Sequence, residues 1–200
     1  MKLNSKIIKA LFESKVSNSY NGVAYHGTNY NFDKFTYIDR GRNSSKVREV
    51  YGPGFYFTSN PDYAKNYGKN IIKANISIKK PLVCKGLNLP KLSKEQIKQL
   101  VIAWYDVAKD ENKLTLFKDS FFAKFSKGFW KGNGTEEDLN KIANECNSFS
   151  FVYDTLFKEH FKKYFISDLN YLFGYDGVIC ELDKETTIYV VWFEEQIEKL

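Results

Sequence analysis

The stretch from Val50 to Gly68, VYGPGFYFTSNPDYAKNYG, concentrates the side chains of this chain best suited to gripping a flat ligand. Gly52 and Gly54 bracket Pro53, so two permissive residues flank one fixed φ. Phe55-Tyr56-Phe57-Thr58 has the aromatic and β-branched character of a short strand. Asn60-Pro61 then predicts an N-cap with proline at the first helical position. Ala64 and Tyr67 share one face of that helix, and Gly68 closes it. Loop, strand and helix together make a wall with aromatic rings projecting from it. Such a wall suits a flat aromatic ligand, and a strand–turn–helix packed in a core would use the same residues.

The elements that must position this wall follow from the periodicity of the chain. A helix is expected over 4–17, with Ile7, Ile8, Leu11 and Phe12 on one stripe. Val23-Ala24-Tyr25-His26 reads as a strand ending in a compact His26-Gly27-Thr28 turn, and Phe32, Phe35 and Tyr37 as a second extended piece. The polar run 39–49, with Arg40 and Arg42, reads as a loop. Ile71 to Ile78 alternates like a half-buried strand, and Pro81-Leu82-Val83-Cys84 reads as another.

From about 90 to 172 the pattern turns helical. Ser93-Lys94-Glu95-Gln96 is a capping box before Ile97, Leu100, Val101, Trp104 and Ala108. Leu114, Phe117, Phe121, Phe122 and Phe125 form a further stripe, Thr135 to Asp138 a further cap, and 151–172 a long helix. Val178-Ile179-Cys180 and Thr186 to Phe193 are strands again. Strands at both ends with helices between predict an α+β fold. The expectation is one domain over 1–200, with the helices as an insertion or cover over a sheet.

Composition narrows the class. A hydrophobic share of 43% with 27% charged residues is that of a soluble globular protein, and 17 Phe with 14 Tyr favour a packed fold over disorder. The net charge of +6 permits an acidic or nucleic-acid partner without demonstrating one, because lysines opposite apolar helix faces also serve as a solvated surface. Cys84, Cys146 and Cys180 have neither disulfide-scaffold nor zinc spacing, so no metal and a reducing, cytoplasmic setting are expected. No signal peptide or membrane span is read from the chain.

Three motifs in order complete a pattern: Tyr25-His26-Gly27-Thr28, then Gly52 to Thr58 with Ala64 and Tyr67, then Tyr189 to Ile197. This resembles the diphtheria-toxin-like branch of the ADP-ribosyltransferases, which includes the poly(ADP-ribose) polymerase catalytic domain. It is also similar to compact transferases of phages and bacterial toxin systems. The resemblance covers about 23–78 and 174–197 and omits the helices. It implies a split antiparallel sheet core and NAD as substrate. It implies that Gly27 pairs its backbone with the nicotinamide carboxamide and that His26 bonds an adenosine-side ribose hydroxyl. Tyr56 and Tyr67 match the two ring-stacking tyrosines, and Thr28 the family Ser or Thr. Gly54, Phe57 and Ala64 fall within the matched binding motif. Arg42, or Arg40, lies where a family residue reaches the adenosine diphosphate.

The third motif departs from the pattern. Many family members carry a glutamate immediately before the tyrosine-led strand, where it supports the cationic ribose and can activate the acceptor. Here that position is Ile188, with Glu185 as the second candidate carboxylate. The resemblance therefore implies single transfer of ADP-ribose to a macromolecular acceptor, a protein or, favoured by basic charge, RNA or DNA. A toxin, effector or phage-conflict role with an antitoxin partner is implied in the same way. An inactive NAD-binding module and an NAD glycohydrolase are the alternatives.

Overall fold

A computed structural model describes residues 19–36, 50–86, 88–110, 135–145, 149–157 and 162–200. Seven strands form the sheet: β1 (Tyr20–Thr28), β2 (Phe55–Thr58), β3 (Asn70–Ile78), β4 (Pro81–Lys85), β5 (Gly177–Glu181), β6 (Thr187–Val191) and β7 (Ile197–Lys199). Their order is β4-β5-β6-β2-β1-β3-β7. All neighbours are antiparallel except β4 and β5. A parallel pair needs a crossover, and the helices between β4 and β5 are that crossover.

The sheet is divided at its middle. β2 pairs with β6 along its whole length, but with β1 the register gives only Tyr25↔Thr58. β1 and β3, by contrast, pair over nine positions from Tyr20↔Ile78 to Thr28↔Asn70. One half is thus β4-β5-β6-β2 and the other β1-β3-β7. Apolar side chains of both halves meet in one core, where Ala24, Ile72, Ala74, Ile76 and Ile78 pack with Ile179, Tyr189 and Val191. Tyr20 stacks on Tyr189 with ring centres 4.1 Å apart, although their strands are not neighbours. Two polar clamps hold the halves at the turn where the chain passes from β3 to β4. The Asp176 carboxylate accepts from the amides of Lys79 and Lys80, both at 2.8 Å. Gln196 Nε2 donates to the Ser77 and Asp176 carbonyls at 2.7 and 3.1 Å.

The opposite face of β5 and β6 carries the helices. Among them are α2 (Lys94–Asp110), α3 (Glu136–Glu145), α4 (Phe149–Val152) and α5 (Lys162–Phe173), after the short α1 (Pro61–Ala64). Leu100, Trp104, Phe149, Phe165 and Leu169 pack there with Val178, Cys180, Ile188 and Val190. Strands covered on both faces read as unbroken apolar runs, which is the pattern of 178–180 and 188–193. α2 opens on the expected box: Gln96 N–H donates to Ser93 Oγ, and Gln96 Oε1 accepts from Ser93 N–H at 2.9 Å.

Several elements differ from their sequence expectations. His26-Gly27-Thr28 is no turn: it continues β1, because β3 is long enough to pair with it to Asn70. Phe32 and Phe35 form no strand, and their rings pack beside His26 instead. The helix expected over 151–172 is α4 running into a π-helical turn, Tyr153–Phe157, and then α5, with 158–161 outside the described residues. The helix expected at 4–17, Tyr37, the loop with Arg40 and Arg42, and the stripe at 114–125 also lie outside them. Among the described residues, no helix is long and apolar enough to cross a membrane.

Candidate active site

The site forms where the β1–β2 ladder stops. Beyond Tyr25↔Thr58 the register would next set Gly27 opposite Tyr56, but no pair forms there. A side chain takes up the backbone group instead: the Tyr56 carbonyl lies 2.8 Å from His26 Nδ1. A carbonyl only accepts, so Nδ1 carries the proton. In the neutral ring Nε2 is then an acceptor, the type of nitrogen that a ribose hydroxyl can donate to. Phe35 and Phe57 brace the imidazole, with ring centres at 5.3 and 5.6 Å. Phe57 is itself only 2% exposed, so it supports His26 from within the core.

Successive residues of a strand face opposite ways, so Gly27 looks away from His26. A Cβ at Gly27 would stand 1.9 Å from the Ala64 carbonyl oxygen and 3.2 Å from Tyr67 Cβ. Only glycine lets the helical turn lie this close. Gly27 therefore abuts Tyr67 directly, and strand alternation puts it on the same face of the sheet as Tyr56. Its backbone edge toward β2 is not closed by strand pairing, so an amide that both donates and accepts fits it.

Local sequence holds both tyrosines. Asn60 Oδ1 accepts from the amides of Asp62 and Tyr63, which starts α1 at Pro61, and a 3-10 turn, Lys65–Tyr67, continues it. Tyr67 Oη donates to Tyr63 Oη at 3.2 Å. Partial burial, followed by the Tyr63 hydroxyl, pushes the Tyr67 phenol up to about 12, so the ring is neutral across the physiological range. It remains 61% exposed. Tyr56 is tied more firmly, donating to the Gly52 carbonyl at 2.6 Å and accepting from Tyr51 N–H at 3.2 Å. Gly52 has φ +85° and its α-carbon faces the Phe149 ring, while Gly54, at φ +149°, lies against Val190 and Val191. This loop therefore needs both glycines, and through Phe149 the helical layer reaches the Tyr56 anchor. Burial, with the Cys180 thiol beside it, pushes the Tyr51 phenol up.

The remaining residues named from sequence sit differently. Thr28 Oγ1 accepts from Tyr30 N–H at 3.2 Å and ends β1. Ala64 is buried beneath Gly27. Arg42 and Arg40 lie outside the described residues. Ile188 pairs with Thr58 and with Cys180, is 6% exposed, and packs toward the helices. Glu185 lies in the turn before β6 with its side chain in solvent, while its backbone amide donates to Asp183 Oδ1 at 2.8 Å and its carbonyl accepts from Ser59 Oγ. Two residues that sequence reasoning missed are Tyr51, which holds Tyr56, and Tyr63, which holds Tyr67. Tyr63 stands four residues before Tyr67, a spacing that brings side chains together on a helix. Among the described residues, no three His, Cys, Asp or Glu side chains gather where a metal ion could sit.

Comparison with known proteins bears on this geometry. The family described as ADP-ribosyltransferase in polyvalent proteins matches residues 21–200. No curated protein matches. A solved structure described as an anti-CRISPR protein aligns over 91% of this chain and 96% of its own, at 17% identity and a TM-score of 0.33. A likeness of that size does not establish a shared fold.

Proposed function

The chain belongs to the ADP-ribosyltransferase family found in polyvalent proteins, and from that premise we propose that it transfers a single ADP-ribose from NAD to a macromolecular acceptor. The observation that carries this reading is the open edge at Gly27 between the Tyr56 and Tyr67 positions. The nicotinamide carboxamide pairs with that edge and the two rings cover the nicotinamide plane. His26 takes a ribose hydroxyl on the adenosine side. Gly54 and Phe57 shape the strand that presents Tyr56, and Thr28 and Ala64 set the distance between β1 and the helical turn.

Held in this way, the dinucleotide is oriented for loss of nicotinamide. The bond from ribose C1′ to the ring nitrogen breaks, nicotinamide leaves as a neutral molecule with the electron pair, and C1′ gains oxocarbenium character. An acceptor nucleophile then bonds to C1′ and loses its proton. Ile188 supplies no carboxylate for that last step, which favours one transfer over chain extension. Glu185 is the carboxylate closest in sequence, and its fixed backbone in an exposed turn makes it the candidate base. Glu181, Glu194 and Glu195 are assigned to the surface. A role as toxin, effector or phage-conflict protein, with an antitoxin partner and a cytoplasmic site of action, extends this reading.

Incubating the purified chain and a cell lysate with radiolabelled NAD tests it. Label should appear on a macromolecule and disappear with His26→Ala or Tyr56→Ala. An absence of transfer with the unaltered chain would sink the proposal. The burial of Ile188 favours one second reading, an NAD-binding module without chemistry. It predicts thermal stabilisation by NAD with no nicotinamide released. NAD loss without labelled product would indicate a glycohydrolase.

A further inference from the structure

Beside Tyr67, and away from the Gly27 edge, an open cleft of about 580 Å3 runs between the end of β1 and the start of β3. Asn29, Lys65, Asn66, Lys69 and Ile71 line it with Tyr67, and no carboxylate does. The Lys65 ammonium shares an exposed ion pair with Asp62 at 2.6 Å, a contact that an incoming anion can replace. Lys69 has no acidic partner among the described residues. Asn29 Oδ1 accepts from the Lys69 amide at 3.2 Å, which fixes the side chain and leaves its NH2 group without a protein acceptor among those residues. The Asn66 carboxamide likewise makes no hydrogen bond there. Tyr30, next to Asn29, has its amide tied to Thr28 Oγ1 and its ring 67% exposed.

The exposed Tyr67 ring, two available carboxamides and two ammonium groups therefore line one cleft, and the exposed Tyr30 follows its Asn29 in the chain. Each has a counterpart in a single nucleic-acid strand: rings stack bases, carboxamides pair with base edges, and lysines hold phosphates. An acidic peptide would use the lysines and leave the rings and carboxamides idle. Tyr67 lies against Gly27 and also lines the cleft, so a strand bound there lies one side chain away from the nicotinamide position.

We propose that this cleft is the acceptor subsite and that it takes a single-stranded nucleic acid. The proposal rests on the transferase reading above. A ring nitrogen or hydroxyl oxygen of the strand forms the bond to ribose C1′ as the bond to nicotinamide breaks. Nicotinamide carries off the electron pair, and the nucleophile's proton passes to the base, for which Glu185 is the candidate, and from it to solvent.

The test uses the full chain and fluorescent single-stranded oligonucleotides of about twelve nucleotides, one DNA and one RNA, with polyglutamate as the acidic-peptide arm. Anisotropy should show binding of at least one oligonucleotide that weakens as salt rises. Lys65→Glu with Lys69→Glu, and separately Tyr30→Ala, should each weaken it about tenfold. Thermal stabilisation by NAD should not change in either variant. Tighter binding of polyglutamate, oligonucleotide binding that ignores these substitutions, or a loss of NAD stabilisation in the variants would each overturn the assignment. The last outcome would give the cleft to the donor. If NAD fails to stabilise the unaltered chain, the transferase reading fails, and the anisotropy still reports on the cleft by itself.

Discussion

At the β1–β2 junction the ladder breaks after one pair and leaves a polar backbone edge at Gly27, whereas Ile188 on β6 sits in ladders that run unbroken on both sides. The two positions are linked through the same residue, since Thr58 pairs with Tyr25 in one direction and with Ile188 in the other. Where pairing stops, backbone groups must find other partners, and a ligand amide can be one of them. Where pairing continues under a layer of helices, the side chain is core, and a charge there would be stranded. On the proposed reading, gripping the donor and stabilising the reacting centre are separate tasks. The first falls to the open edge at Gly27, and position 188, to which the family resemblance assigns the second, is filled with hydrocarbon.

Ile188→Glu should break this contrast most violently. It puts a carboxylate among Val190, Phe165 and Leu169, at a cost of about 3–5 kcal/mol. Denaturant unfolding reads that cost. A variant that kept its stability and gained activity would show that the β6 face is open after all. Gly27→Ala should come next. Its Cβ meets backbone rather than a flexible side-chain end, so the cost is about 3 kcal/mol, a fall in Tm of about 10 °C. Thermal stabilisation by NAD should vanish with it. Tyr56→Phe keeps the ring but removes the bonds to Gly52 and Tyr51, a loss of about 1 kcal/mol that should raise KM for NAD more than it lowers kcat.

The smallest effect tests how dry the helical layer is. Burial pushes the Asp168 carboxyl on α5 up to about 6, and its Oδ2 is buried without a hydrogen-bond partner. The folded value exceeds the unfolded one of about 3.9, so the neutral form suits the fold. Its stabilising contribution is complete below pH 4 and is lost as pH rises through 6. The difference in Tm between Asp168→Asn and the unaltered chain should therefore grow in favour of the variant over that window and be flat above it. A constant difference would mean that water reaches Asp168.

Much of the local structure was legible because its causes are local. Asn60-Pro61 and Ser93 to Gln96 carry their own caps, and both helices start where those residues place them. The alternation of 71–78 and the apolar runs of 178–180 and 188–191 announced strands, the latter buried on both faces. The extent of β1 was hidden, because His26-Gly27-Thr28 has the composition of a turn and is held straight only by β3. Tyr51 as the anchor of Tyr56 was hidden as well, since it acts through a backbone amide, which any residue but proline has.

Residue types and spacing alone thus determined the family pattern, the caps, the two tyrosines and the absence of a carboxylate at 188. Those features are chemical identities or contacts within a few residues. Tertiary structure alone decided that the sheet divides beside Gly27, that His26 turns its protonated nitrogen to the Tyr56 carbonyl, and that Ile188 lies under the helices. Each of these depends on strands far apart in the chain meeting in one register, and that register is set by two facing cores rather than by any single segment.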